Sequence, residues 1–201
     1  MSISTSIDVN SSNAVIGVVG GGQLAKMLAE AASSKGVEVI VQTSSIEDPA
    51  SNKAHSTVLS DPKDPRGTAD LFKVCPSITF ENEWINLSEL RLIEKEGALF
   101  TPSISSLTPL VDKISQRRLL DKLGLPGPEW IPLTLIGKNP PKLPIGWKFP
   151  LMAKSSRGGY DGKGTKVIKN IDDLKELLKN FDPDNWFLEK WISYDNEFAM
   201  V

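Results

Sequence analysis

The chain has 201 residues, 23 of them Lys or Arg and 25 Asp or Glu, giving a formal net charge of -2. Hydrophobic residues at 40% and charged residues at 24% are globular proportions, and a charge so near neutral exerts no broad pull on nucleic acid or an acidic membrane. One cysteine and one histidine exclude an intrachain disulfide, multi-cysteine zinc sites and histidine-rich metal centres, and any Ser-His-Asp triad would have to use His55.

Residues 1–13 hold five serines, no basic cluster and no apolar run, which predicts a disordered arm rather than a secretory signal. No stretch approaches the roughly 18–20 apolar residues of a membrane span. The chain therefore reads as soluble and, with a single cysteine, cytoplasmic. AVIGVV at 14–19 predicts a strand, GGGQ a turn, and the following segment to Gly36 a helix with Leu24, Met27, Leu28 and Ala31 on its apolar face. VEVIVQT at 37–43 and SITFE at 77–81 predict further strands, with helices opening at Asp64 or Pro65 and through SELRLIEKEG. Alternating strands and helices imply a doubly wound parallel sheet over residues 14–110.

A second lobe is expected over 111–201. Asp112 should cap a helix that Gly124 ends, and seven prolines between 126 and 150 predict an extended surface run. FPLMAK and TKVIK predict two strands joined by a glycine-rich hairpin, and IDDLKELLKNF an amphipathic helix. WFLEKWI at 186–192 and EFAMV at 197–201 predict two last strands.

Several motifs leave alternatives open. Gly20, Gly22 and Ala25 satisfy G-x-G-x-x-G/A between a strand and a helix, yet Gln42-Thr43 stands where a ribose-binding carboxylate should follow. That turn could be a dinucleotide site, a phosphate or small-substrate loop, or simply a tight turn. GGYDGKG at 158–164 fails the P-loop pattern at Arg157 and Gly164, leaving an anion-binding lid or a loose hairpin. Lys154, closing an apolar strand, either snorkels to solvent or meets phosphate. Glu189 and Glu197 are strand residues of a type usually solvated; His55 reads as surface and Cys75 as a packed small residue.

Taken together, GGGQLAKM at 20–27, TFENEW at 79–84, DKISQRRLLDKLGLPGP at 112–128, LMAKSSRGGYDGKGT at 151–165 and LEKWISYDNEFAMV at 188–201 resemble the ATP-grasp enzymes. Among these they resemble the 5-(carboxyamino)imidazole ribonucleotide synthases of purine biosynthesis, from about Ala14 to Val201. The resemblance implies a pre-ATP-grasp domain at 14–110 and the first part of an ATP-grasp α+β domain at 111–201. It implies ATP contacts at Lys113, Lys154, the loop Gly159, Tyr160, Asp161, Gly162, Lys163, Gly164 and Thr165, the adenine hinge Glu189, Lys190, Trp191 and Ile192, and the ribose acceptor Glu197. Gln23, Leu24, Glu81, Tyr160 and Asp161 would face the ribonucleotide.

The implied reaction is ligation. Bicarbonate attacks the γ-phosphate of ATP to give carboxyphosphate, and the amine of aminoimidazole ribonucleotide takes up the carboxyl group, with no side-chain nucleophile. The resemblance further implies Mg2+, whose carboxylate ligands would follow residue 201. It thus implies a chain inactive alone and homodimeric in full-length form, with no nucleic-acid or membrane partner. Two other readings stand beside it: another ATP-grasp ligase, such as the formate-dependent glycinamide ribonucleotide transformylase, or a non-catalytic nucleotide-binding module.

Overall fold

The computed structural model describes residues 14–83, 85–138, 140–159 and 164–199. The expected arm at 1–13, Trp84, the loop tip at 160–163 and residues 200–201 lie outside them. The chain divides into two compact units, Met1–Thr108 and Pro109–Val201. No helix of the described residues is long and apolar enough to cross a membrane.

In the first unit, β1 (Val15–Val19) runs into α1 (Gln23–Ser33), and β2 (Glu38–Thr43) is followed by β3 (Ser56–Leu59). Then come α2 (Pro65–Val74), β4 (Ser77–Phe80), α3 (Leu87–Lys95), β5 (Leu99–Phe100) and the single turn α4 (Ile104–Leu107). The strands form a parallel sheet in the order β3-β2-β1-β4-β5. This is the doubly wound arrangement, with β1 central because its β-branched run is buried on both sides. Short β3, β5 and α4 were not expected from the sequence. Ser56–Leu59 is a polar-flanked edge strand, and β5 has only two residues, too few to show a period.

One expectation is corrected. The face that α1 turns to the sheet is Ala25, Ala29 and Ala32, packed with Val18, Val39, Val41 and Ala50, while Leu24, Met27 and Leu28 are exposed. Alanines let the helix lie close over the strands. The larger apolar residues, one position out of phase, cannot fit that gap.

Gln42 shows how the sheet is tied to its surroundings. Its buried amide donates to the carbonyls of Asp61 (2.8 Å) and Asp64 (3.0 Å) and accepts from the Thr68 hydroxyl (2.7 Å). The side chain at the place of a ribose-reading carboxylate is therefore spent on β2, the loop before α2, and α2 itself.

In the second unit, α5 (Lys113–Lys122) begins at Asp112, whose carboxylate accepts from the Ser115 N–H, and ends before Gly124 at φ +66. β6 (Trp130–Pro132), β7 (Leu151–Ser155), β8 (Thr165–Ile168), α6 (Ile171–Asn180) and β9 (Trp186–Lys190) follow. The sheet is antiparallel throughout, in the order β6-β9-β7-β8. One of its faces packs Leu151, Ala153, Trp186 and Leu188 against Leu174, Leu177 and Leu178 of α6. Two expectations fail here. The proline-rich run is not all surface: Leu133–Leu135 makes a 3-10 turn that sends Leu133 and Ile136 into the core. Residues 197–199 are not a strand, β9 stops at Lys190, and Phe198 is exposed, because no described strand lies beside them to complete a ladder.

Replacing Gln42 with Ala should lower unfolding free energy by about 2–4 kcal/mol, since it opens a void, strands the buried Thr68 hydroxyl and removes the donor to two half-buried main-chain carbonyls. Urea denaturation of the two chains measures this; a difference under about 0.5 kcal/mol, a typical surface effect, would show the amide network to be dispensable.

Candidate functional site

The first glycine turn is built around a carboxylate. Glu81, immediately after β4, accepts from the N–H groups of Gly22 (2.8 Å), Leu24 (3.2 Å) and Ala25 (3.4 Å). A negative group thus sits at the start of α1, where unpaired N–H groups and the helix dipole favour it. The glycines follow from this packing. A side chain on Gly20 or Gly22 would strike Glu81, one on Gly21 would strike the Thr43 hydroxyl, and Gly20 also has φ +124. Of the three readings left open for this turn, the close approach serves an internal carboxylate, and these N–H groups are already satisfied by it. Gln23 and Leu24 are exposed beside it.

The second unit gathers its charged residues on the sheet face opposite α6. Alternation along β7 puts Met152 and Lys154 on that face, and pairing of Met152 with Glu189 puts the Glu189 carboxylate there too. Glu189 is not solvated: its side chain is 3% exposed. Lys154 Nζ lies 2.6 Å from Glu189 Oε2, and the Arg117 guanidinium of α5 pairs with Oε1. That Oε1 is held by the ion pair with Arg117 and by no further hydrogen bond among the described residues. Arg117 is the residue that sequence reading missed. It lies four residues after Lys113, the spacing that places both cations on one side of a helix, and this was the available signal.

The glycine hairpin leaves β7 beside this cluster. Its neck is closed by Ser155 N–H donating to the Gly164 carbonyl at 2.8 Å. Gly164 has φ +79 and no room for a side chain against the Ser155 hydroxyl. Among the described residues that hydroxyl has no hydrogen-bond partner. Lys113 Nζ donates to the Gly159 carbonyl at 3.2 Å, and Lys113 N–H to the Ser156 carbonyl at 2.8 Å, fastening the start of α5 to the hairpin. Tyr160, Asp161, Gly162 and Lys163 lie outside the described residues, and Thr165 opens β8.

The remaining expected residues are not drawn into the cluster. Lys190 turns away to Glu129, 2.5 Å from its Oε1, while Trp191, Ile192 and Glu197 lie exposed on the irregular segment after β9. His55 is exposed, with Nε2 3.6 Å from Glu38. Cys75 is fully buried, and burial pushes its thiol up to about 11, which makes it a packed residue and a poor nucleophile at neutral pH. Among the described residues no group of three His, Cys, Asp or Glu could hold a metal ion, so no step through a metal is assigned to them.

The family model for the ribonucleotide synthetase preATP-grasp domain matches residues 13–108, and that for the ATP-grasp domain matches residues 118–201. N5-carboxyaminoimidazole ribonucleotide synthase of Synechococcus elongatus is 39% identical over 92% of this chain and 47% of its own length. The chain belongs to the ATP-grasp family and is similar to the N5-carboxyaminoimidazole ribonucleotide synthases. It spans about half the length of the curated relatives it matches, 47% and 46% for the two cyanobacterial ones. Among solved structures, the Staphylococcus aureus N5-carboxyaminoimidazole synthetase complexed with ADP is 29% identical with a TM-score of 0.78, over 89% of this chain and 48% of that one. The Aspergillus clavatus synthase in complex with ADP and 5-aminoimidazole ribonucleotide is 26% identical with a TM-score of 0.74, over 91% and 48%.

Asp112 offers a pH test of how α5 is anchored. Burial disfavours its charge, but donors from Ser115 and Ser156 and the Arg157 guanidinium outweigh this and hold its carboxyl below the usual aspartate value. A depressed native pKa gives stability that is complete above the unfolded value of about 3.9 and is lost as pH falls through the native value. Asp112→Asn should therefore destabilise the chain at pH 6 and progressively less towards pH 3. Urea midpoints across that range check the trend, and a pH-independent difference would contradict it.

Proposed function

We propose that this chain supplies the ribonucleotide-binding domain and the first part of the ATP-grasp domain of an N5-carboxyaminoimidazole ribonucleotide synthase. In the whole enzyme ATP and bicarbonate would furnish carboxyphosphate, and the amine of aminoimidazole ribonucleotide would take up the carboxyl group. One observation carries the reading. Lys154 and Arg117 share the buried Glu189 carboxylate beside the neck of the glycine hairpin, so the group holds two cations to one anion. A surplus positive charge on a sheet face, next to a glycine-rich loop and a buried Ser155 hydroxyl without a hydrogen-bond partner among the described residues, suits a polyphosphate.

In this reading Lys154 and Lys113 contact phosphate, and residues 159–165 cover it. The main chain of Glu189, Lys190, Trp191 and Ile192 reads adenine, and Glu197 receives the ribose hydroxyls. These residues would bind, orient and screen charge; none acts as a nucleophile, in keeping with phosphoryl transfer as positioning and electrostatics. In the first unit, Gln23, Leu24 and Glu81 would meet the ribonucleotide. Its phosphate would need donors other than the N–H groups that Glu81 already occupies. Mg2+, bicarbonate and a homodimer belong to the whole-enzyme proposal.

In a full-length synthase carrying this sequence, Lys154→Ala should weaken ATP by about ten- to a hundredfold, the value of one charge-assisted phosphate contact, and aminoimidazole ribonucleotide far less. Gln23→Ala should do the reverse, by about 1–2 kcal/mol on the ribonucleotide. Isothermal titration of both ligands into each variant separates the two effects. Equal losses for both ligands in either variant would mean that the residue supports the fold and not a ligand.

A further inference from the structure

Arg117 contacts Glu189 rather than open solvent, and its side chain is 21% exposed against 3% for Glu189. A carboxylate this deeply buried needs a counter-charge at all times. Lys154 provides one at 2.6 Å, but a lysine that must reach a phosphate cannot also be held fast by a carboxylate. Two cations on the two oxygens of one carboxylate relieve this conflict. Each weakens the other's hold, and either can leave without stranding a bare charge.

We propose that Arg117 is a positioning residue: it neutralises Glu189 in place of Lys154 and so frees the Lys154 ammonium for an anionic ligand. The proposal rests on the reading of Lys154 as a phosphate contact, and it adds the residue that lets the lysine move. Guanidinium suits the part because it stays charged at any working pH and is less strongly hydrated than ammonium, so it tolerates the buried oxygen better. Its helix is held against this sheet face at its start, where Lys113 N–H meets the Ser156 carbonyl at 2.8 Å. Arg117 is thus carried on a fixed element, while Lys154, at the mouth of the hairpin, is 29% exposed and closer to solvent.

The test reads Lys154 directly. A lysine amine is acylated only after it releases its proton, so labelling of the 201-residue chain by a small acylating reagent, followed by peptide mass spectrometry, reports how firmly Lys154 is held. With Arg117→Met, Glu189 bears on Lys154 alone, and labelling should slow by about threefold or more. ATP should bind about tenfold more weakly and adenosine, which lacks phosphate, within about twofold of the parent. Arg117→Lys should restore most of both, and Glu189→Gln should speed labelling. In the Glu189→Gln background, Arg117→Met should have no further effect on either measurement, because its route of action is gone.

Faster labelling in Arg117→Met would overturn the proposal, since a side chain that only packs would loosen the lysine when removed. Additive effects in the double variant would overturn it as well. If the parent chain binds neither ATP nor adenosine, the nucleotide reading fails, and the order of labelling rates alone then upholds or overturns the sharing of Glu189.

Discussion

Burying Glu189 is the constraint on which the second unit turns. An isolated carboxylate in that position would be too costly to keep charged, and pairing alone rarely repays the loss of water unless geometry is good. The fold meets the demand from two directions, with Lys154 brought by the neighbouring strand and Arg117 by the helix before the sheet. The requirement explains why α5 must be pinned at its first turn. Asp112 caps it, Lys113 ties it to Ser156 and Gly159, and a helix free to shift would leave the buried anion half-compensated.

The first unit solves a related problem with the charges reversed. There the unsatisfied groups are the N–H donors at the start of α1, and Glu81 supplies the anion. Three glycines keep backbone and carboxylate in contact, and an alanine face keeps the helix close to the sheet. The same glycine pattern elsewhere approaches the pyrophosphate of a dinucleotide. Here the phosphate's place at the helix start is taken by a side chain, and Gln42 is committed to the framework.

Much of the architecture was legible. Alternating periodic segments gave the parallel sheet, Asp64, Asp112 and Gly124 marked helix ends through local chemistry, and TKVIK opposite FPLMAK gave the hairpin. Such features depend on residues close in sequence, and their physics is complete within a few turns of chain. What escaped was either too short to carry a period, such as β5 and α4, or depended on a distant partner. The segment 197–199 has the composition of a strand, but a strand forms only where a neighbour offers its ladder. Leu24, Met27 and Leu28 look like a core face, and only the gap available over β1 and β2 shows that alanine fits and leucine does not.

The candidate site divides along the same line. From sequence alone came the glycine loops, the lysine closing an apolar strand, and the five blocks whose order and spacing point to one family. These were available because residue type and local spacing are written in the chain. The tertiary structure decided that Glu189 is buried rather than solvated, that Arg117 joins Lys154 on it, and that Glu81 fills the first glycine turn. Those pairs join residues 35 to 72 positions apart and 56 to 59 apart. Charge pairing acts through space over a few ångströms, and only the packed fold determines which distant side chains come that close.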